Sequence, residues 1–166
     1  MTSSIEFPYG SAIGVDGFLL NNVMTDFSFI PKINNELVVN RIEPLKYPRS
    51  SMSPTFVFDD KNNLILVVGS PNGPRIIQHV LKTIIAVLDW NMDLQEAVSM
   101  PNFISLNGFI ELEKNTNITT LKKPLQKLKH QVKIIPITSA IQAIKITNNK
   151  FHGASDPRRQ GFAIGE

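Results

Sequence analysis

The sequence predicts a domain that mixes helices and strands, of the α/β or α+β class, and its hydrophobic patterning supports this prediction. Short runs with β-type composition alternate with two or three segments whose apolar residues recur at helical spacing. No segment repeats internally. The 166 residues, 42% of them hydrophobic, suffice for a substantial core. We therefore expect a single domain over residues 1–166.

The first half of the chain contains the clearest local prediction, a β-hairpin. Residues 55–58 and 64–68 read as two strands, and the intervening DDKNN cluster of residues 59–63 reads as their turn. Residues 12–20 read as one earlier strand. Between them, residues 31–49 carry three prolines and little periodicity. This segment indicates a long loop, and such loops in compact domains are often functional.

Helical spacing is clearest after residue 75. The apolar positions of one predicted helix face are Ile76, Ile77, Val80, Leu81, Ile84 and Leu88. Pro74 fits the first turn of this helix, where a missing N–H costs nothing. Asp93 and Glu96 have the spacing of a capping box, so a second, short helix begins there and ends at Pro101.

The last part of the chain predicts one more helix and three strands. Leucines within residues 121–128 suggest a third helix with a basic face. Residues 132–136, 142–147 and 150–154 read as strands, and Asn148-Asn149 forms a turn between the last two.

Composition excludes several classes of protein. The absence of cysteine excludes disulfide scaffolds, cysteine-ligated zinc, iron–sulfur clusters and thiol nucleophiles. A net charge of +3 is too weak to indicate nucleic-acid binding, and the lysines of residues 122–129 fit a solvated helix face. No apolar stretch approaches the ~20 residues of a membrane span. The three histidines are widely spaced, so we expect no metal site. We expect no other cofactor either.

Two loops have chemistry suited to an anion. Residues 69–73 (GSPNG) lead from a predicted strand to a helix N-terminus, where N–H groups favour an anion or a developing oxyanion. The alternative is a plain strand-to-helix turn, and a P-loop is excluded because no Gly-Lys-Ser/Thr follows. The hydroxyls of residues 50–54 (SSMSP) suit a carboxylate, although a solvated turn has the same composition.

Five motifs occur in the same order as in one enzyme family. They are YGSAI at residues 9–13, GFLLNNVMTDF at 17–27, PRSSMSPT at 48–55, GSPNGPRI at 69–76 and GASDPR at 153–158. With these motifs the chain resembles the C-terminal, small-subunit part of γ-glutamyltranspeptidase (glutathione hydrolase), an N-terminal-nucleophile hydrolase. The resemblance implies an α+β fold, an αββα sandwich of which this chain supplies a part without the first small-subunit strands and the large subunit.

The resemblance also implies a mechanism and a set of site residues. A precursor cuts itself to expose a catalytic threonine, which is expected upstream of Ser4 and outside this chain. By resemblance, Ser50 and Ser51 hold the α-carboxylate of the substrate and Asp26 its α-ammonium group. The backbone N–H groups of Asn72 and Gly73 form the oxyanion hole.

Further positions either match or depart from the family pattern. By resemblance, Ser4 supports the nucleophile, and Glu6 lies where the family usually has asparagine in the substrate site. Val23 stands where glutamate or glutamine is usual, and Asn72 replaces the first glycine of a Gly-Gly pair.

The function implied is cleavage of γ-glutamyl compounds such as glutathione, by hydrolysis or transfer, with a large subunit, from the same precursor or separately encoded, as partner. The alternative is a catalytically inactive remnant or a module that binds an anion or an amino acid. The compartment is cytoplasmic if Met1 is the true start, and periplasmic or extracellular if the chain is part of a full-length precursor.

Overall fold

The computed structural model describes residues 3–6 and 10–165, so Tyr9 of the first motif lies outside the described residues. The described residues separate into two compact units, one up to residue 50 and one from residue 51 onward. The single domain expected over the whole chain stays a prediction. Each unit mixes short turns with strands, and the longer elements lie in the second.

The described residues of the first unit form two small hairpins. β1 (Gly14–Val15) and β2 (Phe18–Leu19) are antiparallel, and they replace the single strand predicted over residues 12–20. The reason is local: Asp16 and Gly17 both adopt positive φ angles, as a two-residue hairpin turn requires. β3 (Lys32–Ile33) and β4 (Glu36–Leu37) form a second hairpin inside the predicted long loop, with Asn34 and Asn35 as its left-handed turn.

The second unit contains the longer elements. Its strands are β5 (Thr55–Phe58), β6 (Leu64–Gly69), β7 (Phe103–Ser105), β8 (Phe109–Glu113), β9 (Gln131–Ile135), β10 (Gln142–Thr147) and β11 (Lys150–Ser155). Its helices are α1 (Ile76–Leu88), α2 (Leu94–Ser99) and α3 (Lys122–Lys127). The structure confirms the predicted hairpin, the three helices and the last three strands. Their observed ends differ from the predicted ends by at most two residues. The mixture confirms the α+β class.

A four-stranded antiparallel sheet and two helices enclose the main core. The strand order is β11-β10-β6-β5, and α1 and α2 pack on one face of this sheet. Leu66 and Val68 of β6 are buried against Val80 and Val87 of α1, with Ala97 of α2 in the same cluster. Truncating a fully buried leucine such as Leu66 to alanine costs about 2–5 kcal/mol, because it removes apolar contacts and leaves a cavity.

A second sheet has the order β7-β8-β9 and contains a hairpin that the sequence analysis missed. β7 and β8 are antiparallel, and Asn107 adopts a positive φ at the Asn107-Gly108 turn between them. This dipeptide is a strong hairpin signal. β8 and β9 are parallel, so the chain crosses over through α3 between them.

Two glutamines complete the hydrogen bonding of peptide groups on edge strands. The Gln78 carboxamide donates to the Ser105 carbonyl at 2.6 Å and accepts from its N–H at 2.7 Å. Gln95 makes the same pair of bonds with Ser155, at 3.0 and 3.3 Å. Each side chain takes the place of a neighbouring strand, which protects a polar edge from unwanted pairing.

The face of the four-stranded sheet that α1 and α2 leave uncovered is apolar. Large side chains on it, each more than 40% exposed, are Phe56, Phe58, Ile144 and Phe151. No helix among residues 3–6 and 10–165 has the length and hydropathy of a membrane span.

Candidate functional site

The predicted strand-to-helix turn follows β6 and has left-handed backbone geometry. Asn72 has φ 106° and ψ 45°, and Gly73 has φ 54°. The amides of Arg75 and Ile76 donate to the carbonyl oxygens of Asn72 and Gly73, which closes a short 3-10 turn ahead of α1. N–H groups in the first turn of a helix have no helical acceptor and lie at the positive end of its dipole. Because Pro74 has no N–H and the amides of Arg75 and Ile76 bond within the turn, the groups that can stabilise a negative charge here are the amides of Asn72 and Gly73.

Ser51 brings the serine loop onto this turn. Its Oγ donates a 2.7 Å hydrogen bond to the carbonyl oxygen of Gly73. The Oγ of Ser53 in turn donates to the Ser51 carbonyl at 2.9 Å. The Ser51 hydroxyl proton is thus directed at the turn, and it must leave the Gly73 carbonyl in order to bind a carboxylate.

In the first unit, the structure brings Ser4 and Glu6 to the short helical turn that ends at Asp26. The Asn22 amide donates to the Ser4 carbonyl at 3.3 Å, and the Asn22 side-chain oxygen accepts from the Glu6 amide at 2.9 Å. The Thr25 hydroxyl lies 3.4 Å from the Glu6 carboxylate. Asp26, next in the chain, is partly exposed.

The predicted site residues therefore fall into two groups. Ser4, Glu6, Asp26 and the exposed Ser50 belong to the first unit, whereas Ser51, Asn72 and Gly73 belong to the second. Within the second group, the Ser51–Gly73 hydrogen bond joins two loops that the sequence had selected separately. The individual roles given by the resemblance stay predictions.

An ion pair that the sequence analysis missed holds the downstream end of the turn. Arg75 binds Glu111 of β8 through two hydrogen bonds, from Nε at 2.7 Å and Nη2 at 2.8 Å. The bonds to Glu111 raise the pKa of Arg75, although partial burial opposes its charge. Since Glu111 is buried, this pair fixes the start of α1 against the second sheet.

A second missed cluster surrounds Arg158 of the GASDPR motif. Arg158 donates to Glu113 from Nε at 2.7 Å, and to Asp156 from Nη1 at 3.0 Å. Ser139 donates to the other oxygen of Asp156 and accepts a 2.9 Å bond from the Asn102 carboxamide. Burial opposes the charge on Asp156, but the bonds from Ser139 and Arg158 lower its pKa overall. The cluster ties the end of β11 to β8.

Two buried bases of α1 lie beside this cluster. Lys82 donates to the Met100 carbonyl at 2.7 Å and to the Asn102 side chain at 3.0 Å. Burial, with a contribution from Arg158, lowers the pKa of Lys82 to about 8. Burial and the charge of Lys82 lower the pKa of His79 to about 4. The His79 Nδ1 lies 3.2 Å from the Ser70 hydroxyl, and Nε2 has no hydrogen-bond partner in the described part of the chain.

The sequence held a signal for both ion pairs. The strand FIELE at residues 109–113 has glutamates two residues apart in an otherwise apolar run, so both side chains lie on one face of the sheet. Buried carboxylates require partners. Arginines in two of the motifs, GSPNGPRI and GASDPR, supply those partners.

The chain is similar in sequence to a known family of enzymes. The chain matches the gamma-glutamyltranspeptidase family model over residues 1–166. The glutathione hydrolase proenzymes of Bacillus subtilis and Escherichia coli are 37% and 36% identical to it, over 99% and 95% of this chain. The chain spans 28% of the length of each of these relatives.

The fold is also similar to that of solved structures. A mutant of Helicobacter pylori gamma-glutamyltranspeptidase has a TM-score of 0.79 and 40% identity, over 96% of this chain and 92% of that chain. The similarity confirms the N-terminal-nucleophile hydrolase type of fold that the motifs implied.

Proposed function

Because this chain belongs to the gamma-glutamyltranspeptidase family, we propose that it supplies the oxyanion and carboxylate-binding loops of an enzyme that cleaves γ-glutamyl amides. Glutathione is the expected substrate type, since the two curated relatives described above are named glutathione hydrolase proenzymes. A large-subunit partner, from the same precursor or a separate gene, completes the proposed enzyme.

The observation that carries this proposal is the hydrogen bond from Ser51 to the Gly73 carbonyl, 2.7 Å long. It connects the loop expected to bind the substrate carboxylate with the turn expected to bind the oxyanion. Both loops therefore act on one substrate molecule, whose α-carboxylate and scissile carbonyl are separated by only a few bonds.

In the proposed reaction, a threonine hydroxyl attacks the γ-glutamyl carbonyl carbon while the α-amino group of that threonine takes its proton. The C–O bond forms, and the carbonyl electron pair moves onto oxygen. The N–H groups of Asn72 and Gly73 stabilise this oxyanion. As the oxyanion collapses, the amine leaves with the transferred proton, and an ester between threonine and the γ-glutamyl group remains. Water or an acceptor amine then attacks this ester and restores the hydroxyl.

Recognition of the glutamyl group follows from charge. Ser51 donates a hydrogen bond to the α-carboxylate once its hydroxyl turns from the Gly73 carbonyl, and Ser50 provides a second hydroxyl. Asp26 pairs with the α-ammonium group. A hydrogen bond to a charged group contributes about 1.5–3 kcal/mol, so loss of the Ser51 hydroxyl weakens glutamyl binding about 10- to 100-fold.

The test is steady-state kinetics with γ-glutamyl-p-nitroanilide, using the protein expressed from its complete gene. We expect turnover in the unsubstituted protein and a KM about 10-fold or more higher in Ser51→Ala. Thr147→Ala, which removes an exposed hydroxyl at the end of β10, serves as the matched control and keeps the original KM.

Two results would contradict the proposal. Absence of turnover in the properly folded, completely processed protein would favour the inactive remnant or amino-acid-binding module. Turnover that is equally affected by Ser51→Ala and Thr147→Ala would show that Ser51 does not bind the substrate.

A further inference from the structure

Asn72 combines an unusual backbone conformation with a long-range side-chain contact. Its φ of 106° lies in the left-handed region that favours glycine, although asparagine enters that region more readily than most residues. In this turn a glycine would adopt the same backbone at less conformational cost. Any advantage of asparagine over glycine at this position must therefore come from the contact of its side chain.

The carboxamide of Asn72 connects the turn to a distant part of the chain. Its Nδ2 donates to the carbonyl oxygen of Thr138 at 2.5 Å, across 66 residues of sequence. Glycine has no donor for this bond, and aspartate would place an acceptor against another acceptor. Of these three residues, only asparagine permits both the left-handed turn and the contact.

The acceptor of this bond is held firmly. The next residue, Ser139, is fully buried and donates through Oγ to the Asp156 carboxylate. Ser139 also accepts a 2.9 Å bond from the side chain of Asn102. The Asp156 carboxylate lies 3.3 Å from the Ile141 amide as well. The Thr138 carbonyl is thus an anchor attached to the buried ion-pair cluster rather than part of an independent loop.

The Asn72 side chain holds the turn at its upstream end, in addition to the bond within the turn from the Arg75 amide to the Asn72 carbonyl. Downstream of the Asn72 amide, Glu111 holds the Arg75 side chain, and Ser51 holds the Gly73 carbonyl until its hydroxyl turns to the substrate. The Asn72–Thr138 bond adds a third attachment at the upstream end, so the peptide planes of residues 72 and 73 are constrained from both sides.

We propose that Asn72 is a positioning residue, whose side chain, bound to the Thr138 carbonyl, orients the N–H groups of residues 72 and 73 toward the substrate oxyanion. This inference rests on the proposed function and adds a role for a side chain to a site built from backbone groups. Oxyanion donors act only when they lie about 2.7–3.1 Å from the developing charge. A turn that is free to move loses part of that alignment in the transition state.

The test compares Asn72→Gly and Asn72→Asp in the protein expressed from its complete gene. Asn72→Gly keeps the left-handed turn and removes the attachment, so we expect kcat to fall about 10-fold with KM unchanged. Asn72→Asp replaces the donor with a negative charge, so kcat falls further. Asn62→Gly is the matched control, since Asn62 also has a positive φ, of 64°, in the turn between β5 and β6.

A second measurement separates this inference from the proposed function. Backbone amide order parameters of selectively labelled glycine report directly on Gly73, with about 0.85 for a rigid amide and below about 0.6 for a flexible one. We expect the order parameter of Gly73 to fall in Asn72→Gly and to stay high in Asn62→Gly.

The kcat and the Gly73 order parameter together test the positioning role of Asn72. A lower kcat together with a more mobile Gly73 supports the positioning role. An unchanged Gly73 order parameter, an unchanged kcat, or a change in KM alone would overturn it. If the unsubstituted protein has no turnover, the proposed function fails, and the Gly73 order parameter alone then decides whether Asn72 orders the turn.

Discussion

Glu113 and Arg158 lie 45 residues apart in the sequence and form a two-bond ion pair, with Nε–Oε1 and Nη2–Oε2 distances of 2.7 and 3.0 Å. The same guanidinium also binds Asp156 and the carbonyl oxygens of Ser99 and Met100. One side chain therefore joins β8, the end of β11 and the segment after α2.

Removal of the Arg158 charge should destabilise the protein strongly. Arg158→Met leaves the buried carboxylates of Glu113 and Asp156 without their cation, so we expect the free energy of unfolding to fall by about 3–5 kcal/mol. Urea denaturation followed by circular dichroism measures this. Arg159→Met removes an exposed arginine next in sequence and should change stability by no more than about 0.5 kcal/mol. Equal effects of the two substitutions would contradict the assigned role of the cluster.

Burial of His79 should make the protein less stable in weak acid. Its pKa is lowered from 6.5 to about 4, so the unfolded chain binds a proton in this range while the folded chain does not. The contribution of His79 to stability is therefore fully present above pH 6.5, decreases as the pH falls from 6.5 toward 4, and decreases no further below about pH 4. The difference corresponds to about 3 kcal/mol.

The measurement for this prediction is the free energy of unfolding of the original protein and of His79→Gln at several pH values. Between pH 6.5 and 4, the original protein should lose more stability than the variant does. Parallel pH profiles for the two proteins would show that His79 titrates normally in the folded state.

The serine loop and the turn should respond together to glutamate. On the proposed function, L-glutamate perturbs the amide signals of residues 50–53 and 72–73 in an NMR titration. This chain by itself offers only hydroxyl and amide donors and no cation to pair with the α-carboxylate in the proposed site, so its Kd should be about millimolar or weaker. D-lactate, a carboxylate without an ammonium group, serves as a control ligand. Shifts confined to distant surface residues such as Lys127 would contradict the site assignment.

The uncovered face of the four-stranded sheet should cause this chain to associate when it is purified by itself. Phe56, 59% exposed, and Phe151, 76% exposed, present large apolar surfaces. Light scattering should detect oligomers whose amount decreases in Phe56→Ser. Phe103→Ser on β7, 48% exposed in the other sheet, is the matched control and should have less effect. A stable monomer at high concentration would contradict this prediction.

The sequence by itself determined the elements whose signals are local. The hairpin at β5 and β6 follows from two short apolar runs on either side of the turn cluster, in which Asp59 accepts hydrogen bonds from the amides of Lys61 and Asn63. The start of α2 follows from Asp93, which accepts from the amides of Gln95 and Glu96 as the capping pattern predicts. Such features depend only on neighbours within a few residues, so their residue types suffice to predict them.

Five collinear motifs were also sufficient to identify the family, because a motif is recognised from consecutive residues and requires no knowledge of tertiary contacts. They could not show what each residue contacts. The GASDPR motif contained Arg158, yet its partner Glu113 lies in a strand that the sequence analysis had not predicted.

Only the tertiary structure decided which distant groups meet. The antiparallel pairing of β10 with β6 places Ala143 opposite Val68, and the loop before β10 presents the Thr138 carbonyl to Asn72. Likewise, the Ser51 hydroxyl donates to the Gly73 carbonyl, 22 residues away. Contacts of this kind depend on sheet register and on the burial of whole faces, to which residues throughout the chain contribute. A local pattern of residue types contains no distance between segments, and so the geometry of the site could be known only from the folded chain.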